Sequence, residues 1–498
     1  MHHLDVLLRR YQVSTENVPE TAPEAGLGAK APRGMAARLD STAPAPIDGI
    51  VPQASRSAGA VVEETPSVAR RGRVRLRPIH LPANIRTFDA FRYREYRLLW
   101  GATAFSSAGF WLQQVLVGWL TYKLTQSAFV TSLALGLDTL PILVAGPLGG
   151  LLADSWDRRK LLAGIFVYQA TVTTGFAVLV LLGWVATWNI LGFVVLMGLT
   201  WTIVDPARTS LIPKIVPRER LLNAFALGSL AFSLTRLVAP VVGGLLLATI
   251  GAGPAFFLEA GLQVAALATV VGLRVPARSP KPLHIRSALS QILEAVRYVR
   301  GELVIVGILL FAVVPPVLVM PFVQGLMPVF AAEVFEVGPT GLGLLLAAIG
   351  VGSVIATVIL ASIGEVESKG RLILFSIVIM GVGLLLFSRN PSYFLAFPCL
   401  MLLSSGMVMF FTTTTATIQA TVRDDLRGRV AGLYMVTWGL LPAGSLAAGF
   451  LADRFGAPAA PLLAAGALAI VSVLLAMRFR VLWRSRQSTA LGPAGDAR

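Results

Sequence analysis

From residue 98 to residue 477 the chain is a succession of apolar runs, each about twenty residues or longer, broken by short polar or basic stretches. A helix needs about 20 residues, at about 1.5 Å each, to cross the roughly 30 Å hydrocarbon layer of a bilayer. A soluble fold has no use for so many such runs, because its surface must meet water. A bilayer lets the outside of the fold be apolar too. Composition agrees: 55% of residues are hydrophobic, 14% are charged and the mean hydropathy is +0.73. Soluble domains carry roughly 25% charged residues. The pattern predicts an all-α membrane protein with about twelve transmembrane helices. The spans are expected near 98–121, 127–153, 161–183, 188–212, 222–249 and 254–273, then 303–331, 340–363, 372–388, 392–420, 430–452 and 457–477.

Residues 1–88 are rich in Ala, Pro, Ser, Glu and Arg without a helical apolar period, and read as a disordered tail. Residues 88–97 (FDAFRYREYR) make an amphipathic approach whose aromatics and arginines suit a membrane interface. The expected domains are a first six-helix bundle over 89–273 and a second over 303–480. A cytoplasmic connection over 274–302 carries an amphipathic helix near 287–299, and 481–498 form a cytoplasmic tail.

The basic residues are unevenly shared between the two sets of loops. One set holds Arg158, Arg159, Lys160, Lys214, Arg218 and Arg220, six residues of the central connection, then Lys369, Arg371, Arg423, Arg427 and Arg429. The other holds Lys123, Arg389 and Arg454. Positive residues stay on the cytoplasmic side, so both termini are expected there, in a bacterial inner membrane. The same distribution accounts for the net charge of +16, because the arginines punctuate apolar runs instead of forming a nucleic-acid stripe.

A shift of 205 residues lays Arg218 on Arg423, Leu221 on Leu426, Gly244 on Gly449 and Gly251 on Gly456. The fifth helix of one half maps onto the fifth of the other. Duplicated halves are a transporter signature. Enzymatic readings lack their parts. The single Cys399 and the four histidines, His2, His3, His80 and His284, leave the spans without a metal cluster. No Gly-Lys dipeptide makes a nucleotide loop and no Gly-x-Ser-x-Gly makes a nucleophile elbow. The expectation is no enzyme, no cofactor and no metal.

Between the second and third runs stands GGLLADSWDRRK, with Gly149, Gly150, Asp154, Asp157, Arg158, Arg159 and Lys160. Asp205-Pro-Ala-Arg208 follows the fourth, Arg236-Leu-Val-Ala-Pro240-Val-Val-Gly243-Gly244 lies in the fifth, and Arg427-Gly-Arg429 opens the eleventh. Together these resemble the drug, macrolide and enterobactin exporter branch of the major facilitator superfamily, over about residues 88–480. Ser155 and Asp157 depart from the usual loop motif, and Ala239 replaces a usual glycine. The resemblance implies two pseudo-symmetric six-helix bundles and a gating latch at Gly150, Asp154, Asp157, Arg158, Arg159 and Lys160. Helix packing would fall to Pro240, Gly243 and Gly244.

Charges inside a span are expensive and are functional candidates by default. Asp138, mid-way along the second run on a face of small residues, is the first candidate for proton coupling. Glu259, about two turns from the outer end of the sixth, is the second and is expected to be interfacial. Arg236 shares a face with Ser229, Ser233, Pro240 and Gly243, which points it into the bundle. Asp205 and Arg208 are spaced as a local pair. The family's central helices add cavity candidates: Gln113, Gln114, Gln324, Thr412, Thr413, Thr415 and Gln419, with Phe110, Trp111, Trp201, Phe322 and Phe410 as aromatic surfaces. The expected function is proton-coupled antiport of amphipathic small molecules by a monomer that rocks about a midplane site. The partners are a small-molecule substrate, protons and the lipid bilayer, without nucleic acid. The rivals are a siderophore or lysolipid carrier and a non-transporting receptor or scaffold.

Overall fold

A computed structural model of the chain describes residues 88–143, 156–275, 285–363, 369–423 and 426–479. Among these residues the regular structure is helical, with no strand. In chain order the helices are α1 (Arg94–Thr125), α2 (Ala128–Leu143), α3 (Arg158–Leu181), α4 (Thr187–Ile215), α5 (Arg218–Thr249) and α6 (Ala252–Val271). Then come the amphipathic α7 (Ile285–Gly301), α8 (Leu303–Val334), α9 (Gly338–Ile363), α10 (Lys369–Arg389), α11 (Tyr393–Thr421), α12 (Arg427–Phe455) and α13 (Ala459–Arg478). Ten of them are long and apolar enough to cross a membrane; α1, α2 and α7 are the others. Helix α1 has the length, at 32 residues, but carries Ser106, Ser107, Gln113 and Gln114 in its middle. Helix α2 is described as far as Leu143, and the rest of the expected second span lies outside the described residues. The tail expected over 1–88 lies outside them too, apart from Phe88. The interfacial approach is a short 3-10 turn, Asp89–Arg92, and α1 begins two residues beyond it.

The helix junctions have local causes. Gln126, at φ 50°, turns the chain out of α1. The next residue, Ser127, caps α2 by accepting the Val130 N–H at 3.2 Å. Asp157 caps α3 by accepting from the N–H groups of Arg159 and Lys160, at 3.0 and 3.1 Å. Gly251 (φ 81°) joins α5 to α6, and Gly456 (φ 89°) joins α12 to α13. These are two glycines that the 205-residue shift superposes, each in a backbone region closed to most side chains. Helix α8 is irregular: Pro315 and Pro316 sit inside it, Val319 leaves helical geometry, and π-turns form at Pro321–Gly325 and Phe330–Val334.

The packing pattern repeats. Helix α3 packs on α4 and α6, and α10 packs on α11 and α13; α2 meets α4 as α9 meets α11. Among the described residues the two most extensive contacts between the halves are α5 on α9 and α2 on α12, and α1 and α2 also touch α8. The first two need glycine. A Cβ on Gly244 would strike the Pro339 carbonyl at the start of α9, and a Cβ on Gly449 would lie 2.6 Å from the Phe129 Cα at the start of α2. Gly244 and Gly449 are again superposed by the shift. Gly343 and Gly350 of α9 meet the α5 backbone at Pro240 and at Leu237. Small residues let helix backbones approach where no water drives association. Gly243 meets Leu112 and Val115 of α1 instead.

Buried apolar residues fall into three clusters. One fills the second half and extends to Val115, Tyr122 and Ala128 of the first. The first half has two of its own, one around Leu99, Leu162, Leu211 and Leu227 toward the basic loops, the other around Leu116, Phe176, Ile190 and Phe256 toward the far end. Between those two clusters lies a layer of polar side chains.

Candidate functional site

That polar layer opens onto a cavity of about 220 Å³. The first half contributes Ser106, Phe110, Trp111 and Gln113 from α1, Asp138 from α2, Gln169 from α3, Trp201 and Arg208 from α4, Arg236 from α5 and Gln263 from α6. The second half contributes Met320, Gln324, Met407, Val408, Phe411, Trp438 and Leu441. Among the described residues the first-half wall therefore holds all the charges, together with aromatic rings. The second-half wall is apolar and aromatic, with the single amide of Gln324.

Asp138 is buried, and its Oδ2 accepts the Gln114 amide N–H at 2.9 Å, while Oδ1 has no partner. It sits in a 3-10 turn, Leu137–Thr139, that interrupts α2. Its backbone carbonyl lies where Gly198 of α4 has no side chain. Arg236 holds its guanidinium 5.0 Å from the Trp111 ring centroid. Phe110 stacks on Trp201 at 4.5 Å and 21°, and on the facing wall Phe411 lies 4.8 Å from Trp438. Gln169 donates to Thr200 Oγ1 at 2.7 Å. Arg208 pairs with Asp205 and also reaches Thr103 Oγ1 at 3.4 Å, so the pair expected at the end of α4 forms and borders the cavity.

Several candidates are placed elsewhere than the sequence suggested. Glu259 is fully buried in the bundle, both carboxyl oxygens lack a partner, and it does not line the cavity. Gln263, one turn along α6, lines it instead and lies against Gly109 of α1. Phe322 and Phe410 are core residues of the second half. The π-turn at 321–325 puts Phe322 into that core and Gln324 at the cavity. Thr413 is buried, with an unpartnered hydroxyl. Thr412, Thr415 and Gln419 are exposed and outside the cavity lining, although Thr415 and Gln419 continue the Met407–Phe411 stripe toward the basic loops. Gln114 lines a smaller adjoining pocket with Trp111, Arg236, Pro240 and Gln324. Phe411, Trp438 and Met407 escaped the sequence reading, because an aromatic or Met in an all-apolar helix carries no sign of its face.

Of the expected latch, Gly150 and Asp154 lie outside the described residues. Asp157 is the α3 cap, Arg158 donates to the Ser210 carbonyl at 3.2 Å, Arg159 donates to the Val271 carbonyl, and Lys160 is exposed. These bonds tie the start of α3 to the ends of α4 and α6. At the opposite end, contacts cross between the halves. Asp453 of α12 accepts from Ser127 Oγ at 2.8 Å and from the N–H groups of Ala128 and Phe129 at 2.7 and 3.1 Å. Tyr122 of α1 donates to Glu333 of α8.

A helical fold with paired halves around a central cavity is that of a membrane transporter. The match to the transmembrane secretion effector model covers residues 85–492, and the chain belongs to that family of the major facilitator superfamily. It is 25% identical over 355 residues to macrolide efflux protein A of Streptococcus pyogenes, covering 69% of this chain and 86% of that protein. It is 28% identical over 365 residues to the multidrug efflux pump Tap of Mycolicibacterium fortuitum, covering 70% and 87%. It is 26% identical over 387 residues to the enterobactin exporter EntS of Shigella boydii, covering 75% and 89%. The crystal structure of nucleoside transporter NupG shares the fold, with a TM-score of 0.64 at 14% identity over 78% of this chain and all of that one. The chain is thus a multi-pass membrane transporter and not an enzyme.

Proposed function

We propose that this chain is a secondary active exporter in a bacterial cytoplasmic membrane, moving amphipathic small molecules outward in exchange for protons. The observation that carries this reading is the uneven cavity, in which every charged side chain stands on the first-half wall beside aromatic rings, while the second-half wall is apolar but for Gln324. Such a site suits a molecule with a polar head and an apolar body. Efflux is what the names of the similar proteins describe.

The cavity lining runs from Asp138 and Arg236 toward Asp205 and Arg208, next to the basic loops. By the positive-inside rule that end faces the cytoplasm, and both termini with it. The bonds from Asp453 to α2 and from Tyr122 to Glu333 then close the outer end. Outward opening would break them and close the basic end, where Asp157, Arg158, Arg159 and Lys160 lie, as a monomer rocks two six-helix bundles over 89–273 and 303–480. Asp138 is the proton-exchanging group in this scheme, being an intramembrane carboxyl with one oxygen left unbonded.

The test is dye movement in everted vesicles under an imposed pH gradient. Wild type should accumulate a lipophilic dye, and Asp138→Asn should lose gradient dependence while remaining folded. Transport unchanged in the mutant would remove Asp138 from coupling. A narrow-substrate carrier is the second reading, favoured by a volume of about 220 Å³, below the roughly 300 Å³ where small-molecule sites begin. Folded protein that moves no dye would select it.

A further inference from the structure

Among the described residues four charged side chains line the cavity: Asp138, Asp205, Arg208 and Arg236. Asp205 and Arg208 compensate each other on α4. Asp138 and Arg236 do not. They stand on different helices, α2 and α5, and among the described residues no ion pair within 4.0 Å joins them or joins either to another charge. Asp138 is more than nine-tenths buried, with Oδ1 unbonded. Arg236 has the Trp111 ring 5.0 Å away, which attracts the cation but accepts little of what five N–H donors can give.

An acid and a base without ionic partners in one cavity ask for opposite partners. A cationic cargo would satisfy Asp138 and be repelled by Arg236. An anionic cargo would do the reverse. A cargo with both charges satisfies both and keeps the loaded cavity neutral. We propose that the cargo is an amphipathic zwitterion, its cationic group on Asp138, its anionic group on Arg236 and its apolar body against Phe411 and Trp438. This rests on the exporter reading above. It also supplies a route to release: a proton on Asp138 leaves the cargo's cationic group without its counter-charge.

The test uses the full chain in lipid nanodiscs and three dansyl amphiphiles, identical except for a quaternary ammonium, a sulfonate or a sulfobetaine head. Binding is read by energy transfer from tryptophan, against empty nanodiscs. The sulfobetaine should bind about tenfold tighter than either singly charged probe, since each charge-assisted contact contributes at about that level. Arg236→Gln should reduce the sulfobetaine to the affinity of the ammonium probe, and Asp138→Asn to that of the sulfonate. Arg236→Lys should keep the preference for two charges. An ammonium probe that binds as tightly as the sulfobetaine, or an Arg236→Gln variant that is folded and indifferent, overturns the zwitterion and leaves the exporter standing. No binding of any probe by folded protein overturns both.

Discussion

In the first half of the molecule the buried unbonded atoms are mostly carboxyl and amide oxygens, those of Gln114, Asp138, Gln169, Glu259 and Gln263; in the second they belong to Thr413, Tyr434, Trp438, Ser445 and Ser472. Topology and helix pairing repeat between the halves, but this chemistry does not. Burying a polar group without a partner costs free energy. That cost is concentrated in the half that supplies the charged wall, whose apolar core is split into two clusters by the polar layer. The second half keeps one continuous core and offers the apolar wall. The two halves share the frame, and the charges stand on one side of the cavity. Each prediction below tests either the shared frame or the divided chemistry.

The frame should break first. Gly244→Leu and Gly449→Leu put side chains into backbone at the two most extensive crossings between the halves, and overpacking of this kind costs about 1–3 kcal/mol or more. Gly164→Leu and Gly466→Leu, where nothing lies within 4 Å of the new Cβ, should stay within about 0.5 kcal/mol. Thermal unfolding in nanodiscs separates the pairs. Equal losses in all four would mean that the two crossings are not specially tight.

Glu259 tests the division of chemistry. It is fully buried with both oxygens unbonded, so Glu259→Met should raise stability by about 1–3 kcal/mol, the usual range for an unsatisfied buried group. If the residue is kept for coupling, the same variant should move dye more slowly under a pH gradient. A loss of stability would mean that Glu259 has a partner and belongs to the frame.

Asp453 ties the halves at the far end through three bonds to the start of α2. Removing a helix cap costs about 1 kcal/mol. Asp453→Ala should therefore raise the ratio of open to closed far ends by about fivefold. Spin labels at Lys123 and Arg454, exposed residues in opposite halves, would read this as a new longer distance. An unchanged distribution would assign the closure to Tyr122–Glu333 and the glycine crossing.

The frame was legible in the sequence because its signals are coarse. Among the described residues apolar run length placed the helix ends within a few residues, and the shift that superposed Gly251 on Gly456 found two backbone positions with positive φ. Asp138, Arg236 and Gln113 were legible as cavity groups because a charge or amide in a span has few other places to go. Phe110, Trp111 and Trp201 were legible too, but the second-half wall was not. In a bilayer the lipid-facing side of a helix is as apolar as its core side, so the sequence of α11 does not reveal its rotation. Phe410 and Phe411 are adjacent and chemically identical, yet one is core and the other lines the cavity. For Glu259, distance from the helix end said nothing of the face it takes.

The smallest expected effect comes from the threonine run that misled the sequence reading. Thr412 is exposed and outside the cavity lining, so Thr412→Ala should change stability by less than about 0.5 kcal/mol. It should leave dye affinity unchanged. Phe411→Ala removes an aromatic side chain from the apolar wall and should weaken binding of every dye alike, by about 1 kcal/mol for the lost ring contact. A uniform loss would mark Phe411 as a surface for the cargo's body, with discrimination among head groups left to the first half. A loss confined to cationic dyes would instead give the second half a share in reading charge, through the ring faces of Phe411 and Trp438.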